Sequence, residues 1–560
     1  MGQATATPTA EGAPPSPPSP PSPTSRPSPP GRASPRGLGP QLRAVALYGG
    51  LAFVLGYAWM FSGVTVPNER SRVYLAVSLV DHGTLSIDPA VERFGPIIDW
   101  ARHDGRFYTD KAPGSSLLGA IPYALVRAVT PADAWTIEGL VNLERVALMI
   151  PLSLLGFFLV RRLLGRFHLA RSTVDLASLG WLLGTTALHY ASAYYGHQIV
   201  AVCLLGAVLA LEEAAEAPPG RGRRGYAVAG LWLGLAGLTE YQAAAPCVAL
   251  AALAVWRAAR GREVGRLIAF GAGVAPFAAA FVAYHAVAFG GPFELSYHHL
   301  VAPEVQALHH HGVGGVALPT WAAVSGSLVS LHRGLLITSP LILLAIPGLL
   351  ALRRRGGGSL ALALSVVFGL SLFFVFGAAA WYGGWSYGPR LLVPVMGLAV
   401  LPVALGLEWA REASLGPRGL LRGAALGLIA AGVVQNGLVH AFFREPPEHA
   451  LNPLLDVVAP MWAAGVTSPN LVTCHLAVDG VVTLVPAAAA LLLLLGLPAA
   501  RYLADLSRRA RAIALVGALA AMAPIGAAIA LSGPSWDQDR RDGWVEWTRA
   551  LEAEEYRAKP

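Results

Sequence analysis

Residues able to move a proton or hold an anion gather in one stretch of the chain. It begins Pro67-Asn68-Glu69-Arg70-Ser71-Arg72 and continues through Asp81-His82-Gly83-Thr84-Leu85-Ser86-Ile87-Asp88 and Asp99-Trp100. It ends Asp104-Gly105-Arg106-Phe107-Tyr108-Thr109-Asp110-Lys111-Ala112-Pro113-Gly114. A carboxylate such as Glu69, Asp99 or Asp110 can serve as general base toward a hydroxyl, or bind a metal that bridges a phosphate. The plain alternative is a solvated loop whose acids pair with Arg70, Arg72 and Arg106. Lys111, Arg333 and Arg390 could neutralise an anionic group. Arginine does so through a planar bidentate fork, lysine through a mobile point charge. Either arginine could instead snorkel from a helix end toward lipid headgroups. His197 could orient a carboxylate or bind an anionic oxygen, or be a satisfied interfacial histidine. Tyr241, beside Glu240, poses the same choice. The run His309-His310-His311, near His298 and His299, invites a metal reading. Adjacent histidines point in different directions and no ligand spacing accompanies them, so no metal ligand is assigned.

The elements that must position these groups follow from composition. Hydrophobic residues make up 54% of the 560 and charged residues 13%, about half the charged share of a soluble domain. The apolar residues come in runs of membrane-spanning length without alternation, so helices rather than a barrel are expected. The net charge of +8 does not point to nucleic acid. The arginines sit in short turns between apolar runs, as expected of cytoplasmic connections, and no basic groove with interleaved aromatics is present. Cys203, Cys247 and Cys474 are too few for a disulfide framework.

Residues 1–41 are dominated by Pro, Ser, Thr and Gly and are expected to form a disordered cytoplasmic tail. The membrane domain is expected over 42–532. Its first apolar run, Leu42 to Val66, is too long for a signal-peptide core, so it is expected to be an uncleaved first span. Arginine-rich turns recur at 161–171, 221–224, 257–266, 353–355, 411–422 and 501–511. Two spans joined by an arginine-poor connection lie between consecutive turns, which predicts about 13 spans. The long loops 67–141, 289–333 and 440–479 then fall outside, as does the tail 533–560. The apolar piece Ser115 to Val129, interrupted by Pro122, is expected to be interfacial or re-entrant, because a full crossing there would invert every later loop.

A first span followed at once by an outer loop that opens on an acid resembles the GT-C superfamily of membrane glycosyltransferases. That superfamily includes the protein O-mannosyltransferases and the aminoarabinose transferases. Its loop often opens Asp-Glu or with a single Asp. Here the match is Asn68-Glu69, so the catalytic carry-over rests on Glu69 alone. The chain is similar in particular to a bacterial branch of that superfamily. The resemblance runs through Arg72, the Gly105 to Gly114 block, Tyr195-Gly196-His197 and Thr239-Glu240-Tyr241. It continues through His332-Arg333-Gly334-Leu335 with Ser339-Pro340, and through Trp381-Tyr382-Gly383-Gly384-Trp385-Ser386-Tyr387-Gly388-Pro389-Arg390. These blocks cover about 45–400; nothing beyond them carries the resemblance.

The resemblance implies an all-α polytopic membrane enzyme of the bacterial inner membrane. It would move a sugar from a polyprenyl-phosphate donor to a glycan, lipid or protein acceptor at the outer face. Glu69 would assist the acceptor, with Asp99 and Asp110 next in line. Lys111, oriented by Asp110, and Arg390 would hold the lipid phosphate. Arg333, His197, Tyr241 and Tyr108 would line the substrate site. Some members need a divalent metal and others do not, so a metal stays open. Trp381, Trp385 and Tyr387 suit a sugar-stacking wall or an interfacial belt equally. The rival class is a transporter or lipid-linked-sugar flippase, which calls for charged or helix-breaking residues in mid-span. Pro246 and Pro276 do interrupt spans, but mid-span acids are scarce. A non-catalytic scaffold is the third reading.

Overall fold

The structure, a computed structural model, describes residues 2–3 and 38–557, apart from 62, 65, 219, 313, 415, 416 and 477. The expected 1–41 tail lies almost wholly outside the described residues. The chain divides at Ala46, inside the Leu38–Gly56 helix, and every site residue belongs to the second unit, Leu47–Pro560.

Crossing the roughly 30 Å hydrocarbon layer takes about 20 apolar residues. Among the described residues nine helices meet that need, from the 20 residues of Tyr241–Arg260 to the 29 of Ile137–Gly165. The chain is a multi-pass membrane protein. Thirteen spans were expected, and four of those places are taken by helices outside the nine. These are Leu38–Gly56, Arg171–Gly184, Arg223–Thr239 and Ala345–Arg354. The first apolar run stops being helical sooner than expected, at Gly56. Beyond it Trp59 donates its backbone N–H to Pro469 (2.9 Å) and Tyr57 accepts from Leu471 (3.0 Å).

Each of the six arginine turns joins the end of one helix to the start of another. Arg161 to Arg171, for instance, links Ile137–Gly165 to Arg171–Gly184. The candidate site residues lie at the opposite ends of the same helices: His197 starts Gly196–Glu216, Glu240 follows Arg223–Thr239, and Arg390 starts Arg390–Glu412. Glycines let the helices close up, as is common where lipid supplies no hydrophobic drive between them. Gly419, Gly423 and Gly427 put one face of Arg418–Phe442 directly on the carbonyls of Ala510, Ala514 and Ala518, in Arg508–Ser532.

The expected loop 67–141 is itself folded. Pro67 opens a helix, Pro67–His82, with its missing N–H at no cost and with Glu69 in the first turn, favoured by the helix dipole. Gly83 closes it in the left-handed conformation, as glycine does at helix ends. The buried face of this helix carries Asn68, Glu69, Ser71 and Arg72. Strands Trp100–His103 and Arg106–Thr109 form an antiparallel hairpin, turned at Asp104 (φ 46°) and Gly105 (φ 79°), the Asp-Gly pairing that a tight hairpin turn favours. The expected interfacial piece is the 14-residue helix Gly114–Arg127. At 1.5 Å per residue it reaches about 21 Å, short of a crossing.

Candidate active site

The hairpin explains the first cluster. Trp100 pairs with Thr109, so Asp99 and Asp110 leave the ladder on facing strands. Two like charges set there would repel. Lys111 sits between them, its Nζ 2.6 Å from Asp110 and 3.0 Å from Asp99. Asp110 also accepts from Ser71 (3.2 Å), and its backbone carbonyl accepts from Ser296 (2.7 Å). Burial pushes the Asp110 carboxyl up and the neighbouring Asp99 adds to this, against the pull of Lys111. Burial alone would lower the Lys111 ammonium, but the two carboxylates outweigh it and hold it above its usual value.

The Pro67–His82 helix builds the second cluster. Arg72, fully buried, donates to Glu240 (2.7 Å), Ser115 (2.5 Å) and Asn68 (3.2 Å). Asn68, accepting from Arg72, thus orients it. Glu240 also lies 3.4 Å from His197 Nδ1, which is 3.3 Å from Gln242. Burial would raise the Glu240 carboxyl, but Arg72 and His197 prevail and hold it at about 2.

Glu69 points elsewhere. Its Oε1 accepts from the Tyr194 backbone N–H (2.8 Å) and lies 3.4 Å from Arg444. Both side chains line a cavity of about 20 Å³ together with Glu138, Arg145 and Ser192. Arg145 opens a π-helical turn, Arg145–Met149, a distortion often found at functional sites. Arg444 reaches Glu445 as well (3.4 Å), and Glu445 accepts from the Tyr195 hydroxyl (3.2 Å). Tyr195 in turn lies under Arg390, its ring centroid 6.0 Å from the guanidinium carbon. A continuous chain of contacts therefore joins Glu69 to Arg390.

Arg390, half-buried, differs from the buried cations around it. Among the described residues its guanidinium has no carboxylate within 4.0 Å and makes no side-chain hydrogen bond, and its Nε is buried without a partner. The loop before it folds over the side chain at Gly383 (φ 76°), where a Cβ would collide with Arg390. Arg333 holds that loop from beneath, donating to Gly384 (2.5 Å) and to the hydroxyl and carbonyl of Ser386. Burial pulls the Arg333 guanidinium down to about 9. Its donors are taken by the Gly384 and Ser386 carbonyls and the Ser386 hydroxyl, so it positions the loop.

The remaining expected residues divide. The Tyr241 hydroxyl meets His285 (3.0 Å) and Ser296 (3.2 Å), next to Asp110. The buried Tyr108 packs on Phe289, centroids 5.3 Å apart, and joins neither cluster. Tyr297 stacks on His309 at 4.0 Å. Burial raises the Tyr297 hydroxyl, with Glu240 and Asp110 contributing and Arg72 and Arg390 opposing. Tyr297 thus sits within electrostatic reach of the Lys111 cluster and of Arg390. Asp81 and Asp88 have structural partners, but not the expected Arg70, Arg72 or Arg106: Asp81 accepts from Tyr123 (2.6 Å) and Arg127 (2.7 Å), and Asp88 from the Phe107 N–H (2.9 Å). Among the described residues no group of three or more His, Cys, Asp or Glu is placed to hold a metal.

No family model and no curated protein matches the chain. Among solved structures it is similar to ArnT from Cupriavidus metallidurans bound to undecaprenyl phosphate. The identity is 15%, with 88% of this chain and 78% of that one covered and a TM-score of 0.49. It is also similar to the Archaeoglobus fulgidus oligosaccharyltransferase tethered with an acceptor peptide, at 12% identity, 77% and 57% coverage and a TM-score of 0.47. A third is the arabinosyltransferase EmbB from Mycobacterium smegmatis, at 16% identity, 90% and 42% coverage and a TM-score of 0.41.

Proposed function

We propose that the chain is a membrane glycosyltransferase that moves a sugar from a polyprenyl-phosphate donor to an acceptor hydroxyl at the non-cytoplasmic face of a bacterial inner membrane. The observation that carries this reading is Arg390. A cation whose Nε is buried without a partner is costly, and this one starts a membrane-spanning helix, at the end where a lipid phosphate would sit. Around it Lys111, Arg72 and Arg444 already have carboxylates. An incoming phosphodiester would supply the missing charge.

Transfer needs little covalent help from the protein. The acceptor hydroxyl attacks the anomeric carbon, the bond to the phosphate oxygen breaks, and polyprenyl phosphate leaves with the electron pair. Arg390 would stabilise the charge gathering on that phosphate, the largest contribution expected of such a site. Glu69, fixed by Tyr194 and Arg444, would take the hydroxyl proton. Lys111 would act at the rim, its charge shared between Asp99 and Asp110. Should a divalent metal take part, Asp99 and Asp110 offer the only close pair of acids in the first cluster, and Lys111 would have to leave them.

The test is binding of a polyprenyl-phosphate sugar to the purified full chain. Arg390→Ala should lose a charge-assisted contact of about 1.5–3 kcal/mol, at least tenfold in Kd. Arg390→Lys should recover only part, since a point charge does not reproduce the fork. Undiminished binding by Arg390→Ala would remove the basis of the reading.

A further inference from the structure

Away from the contacts joining Glu69 to Arg390 lies a second concavity of about 390 Å³, walled by Trp385, Trp536, Trp544 and Trp547 with His449 and Arg540 at its edge. Three separate segments build it. Trp385 comes from the loop that Arg333 holds; His449 comes from the stretch after Arg418–Phe442; the rest comes from the helix Gln538–Arg557 and the turn before it. All three lie beyond the same ends of their preceding membrane helices as the candidate active site.

The walls are firmly seated. Asp456 accepts the backbone N–H groups of Ser535 (2.6 Å) and Trp536 (3.0 Å), tying the last helix to the 440–479 region. Trp544 packs edge-on against Phe443 at 4.8 Å and is 8% exposed. Trp385 and Trp547, by contrast, are each 38% exposed. The cleft therefore pairs a rigid aromatic floor with two open indole faces. A Cβ at Gly543 would meet nothing within 4 Å, so the chain leaves the cleft unfilled there.

Its chemistry is not that of a lipid-facing belt alone. Arg540 lies over the Trp536 ring at 5.2 Å and, among the described residues, has no carboxylate within 4.0 Å. His449 stacks on Trp536 as well, centroids 5.4 Å apart. Flat apolar faces with a few placed polar groups mark a small-ligand site, and indole faces suit the C–H faces of pyranose rings as well as cations. Here the Arg540 guanidinium leaves an anionic substituent as the complement. We infer that this cleft binds a glycan whose rings stack on Trp385 and Trp547 and whose carboxylate or phosphate meets Arg540. Trp385 lies five residues before Arg390, so a glycan seated there would be held on the loop that carries the proposed phosphate contact. Its role as acceptor rests on the sugar-transfer reading; its binding does not.

The test uses full-length protein in lipid nanodiscs and two probes. One is an alternating glucuronate–N-acetylglucosamine tetrasaccharide and the other the neutral N-acetylglucosamine tetramer, followed by tryptophan emission and saturation-transfer NMR. Both should bind, the acidic one more tightly. Trp385→Ala with Trp547→Ala should weaken both at least tenfold. Arg540→Gln should remove only the preference for the acidic probe. Arg390→Ala, with its effect on the donor, should leave glycan binding unchanged, so the two proposals fail separately. No binding of either probe at millimolar concentration, or binding indifferent to the tryptophan pair, would overturn the inference. So would strong quenching of Trp385 and Trp547 by brominated acyl chains, which would make the cleft a membrane anchor.

Discussion

Two carboxylates lie around Arg444. Glu69 is held in place by a backbone N–H and an arginine. Glu69→Gln keeps the size and the hydrogen-bonding atoms, so expression should hold while turnover falls about 100-fold or more. Near-normal turnover in a donor-to-acceptor transfer assay would pass the role to Asp99 or Asp110. Glu445 lies deeper in the same contacts. Burial pushes its carboxyl up to about 8 and Glu69 adds to the shift, despite Arg444 and Tyr195. Between its ordinary 4.5 and about 8, the folded chain holds a proton that the unfolded chain has released. Stability from this group is therefore complete at low pH and is lost as pH rises through that window, by at most about 1.4 kcal/mol per unit. Glu445→Gln cannot ionise, so its unfolding temperature should fall less than that of the unaltered chain from pH 6 to 9; parallel curves would mean Glu445 is already charged. Glu69, Asp99, Asp110 and Lys111 could be singled out from sequence because they share one polar stretch. Arg444 could not, since its contact with Glu69 spans 375 positions. Arg333 was visible as a charge, but its partners are two backbone carbonyls and the Ser386 hydroxyl, a set that no residue pattern announces.

At the scale of elements, the polar stretch was harder to interpret than its chemistry. Pro67–His82 was expected as loop because its first turns are polar and charged, and apolar periodicity is the usual sign of a helix. Its end signals, Pro67 and Gly83, were present nonetheless. The hairpin carried its own sign in Asp104-Gly105. The helix pairings also left a trace: Gly419, Gly423 and Gly427 recur every four residues and line one face. Their role follows from how near the facing backbone comes, since a Cβ at Gly423 would overlap the Ala514 carbonyl. Backbone cannot yield as a side-chain tip can. Gly423→Val should therefore part Arg418–Phe442 from Arg508–Ser532 and cost about 1–3 kcal/mol, seen as a lower unfolding temperature in detergent. Gly437→Val, on the same helix with only the Leu491 side chain near at 4.0 Å, is the control and should change little. Equal effects would mean that the close pairing contributes nothing.

For the whole molecule, the decisive property is sidedness, because a lipid-phosphate donor and its acceptor must meet on one face. Six arginine turns mark one set of helix ends, while Glu69, Asp110, Lys111, Glu240, Arg390 and Arg444 gather at the other. Arginines at membrane boundaries favour the cytoplasmic side, so the site should face outward. That inference needs only an unbroken alternation, which is why it was available from sequence. The number of crossings is a weaker matter, since several helices are too short or too polar to announce themselves by hydropathy. Single cysteines can test the alternation without depending on the count. In a variant lacking Cys247 and Cys474, Arg106→Cys, Glu304→Cys and Glu448→Cys each place a thiol at an exposed position among the site's loops. Arg260→Cys, Arg354→Cys and Arg509→Cys do the same at three arginine turns. A membrane-impermeant maleimide added to intact cells should label the first three and spare the second until the membrane is opened. Labelling of Arg106→Cys only after opening would put the acidic cluster on the cytoplasmic side, away from an outer-face donor, and would end the proposed function. Labelling of one arginine turn from outside would break the alternation at that turn and invert every connection beyond it.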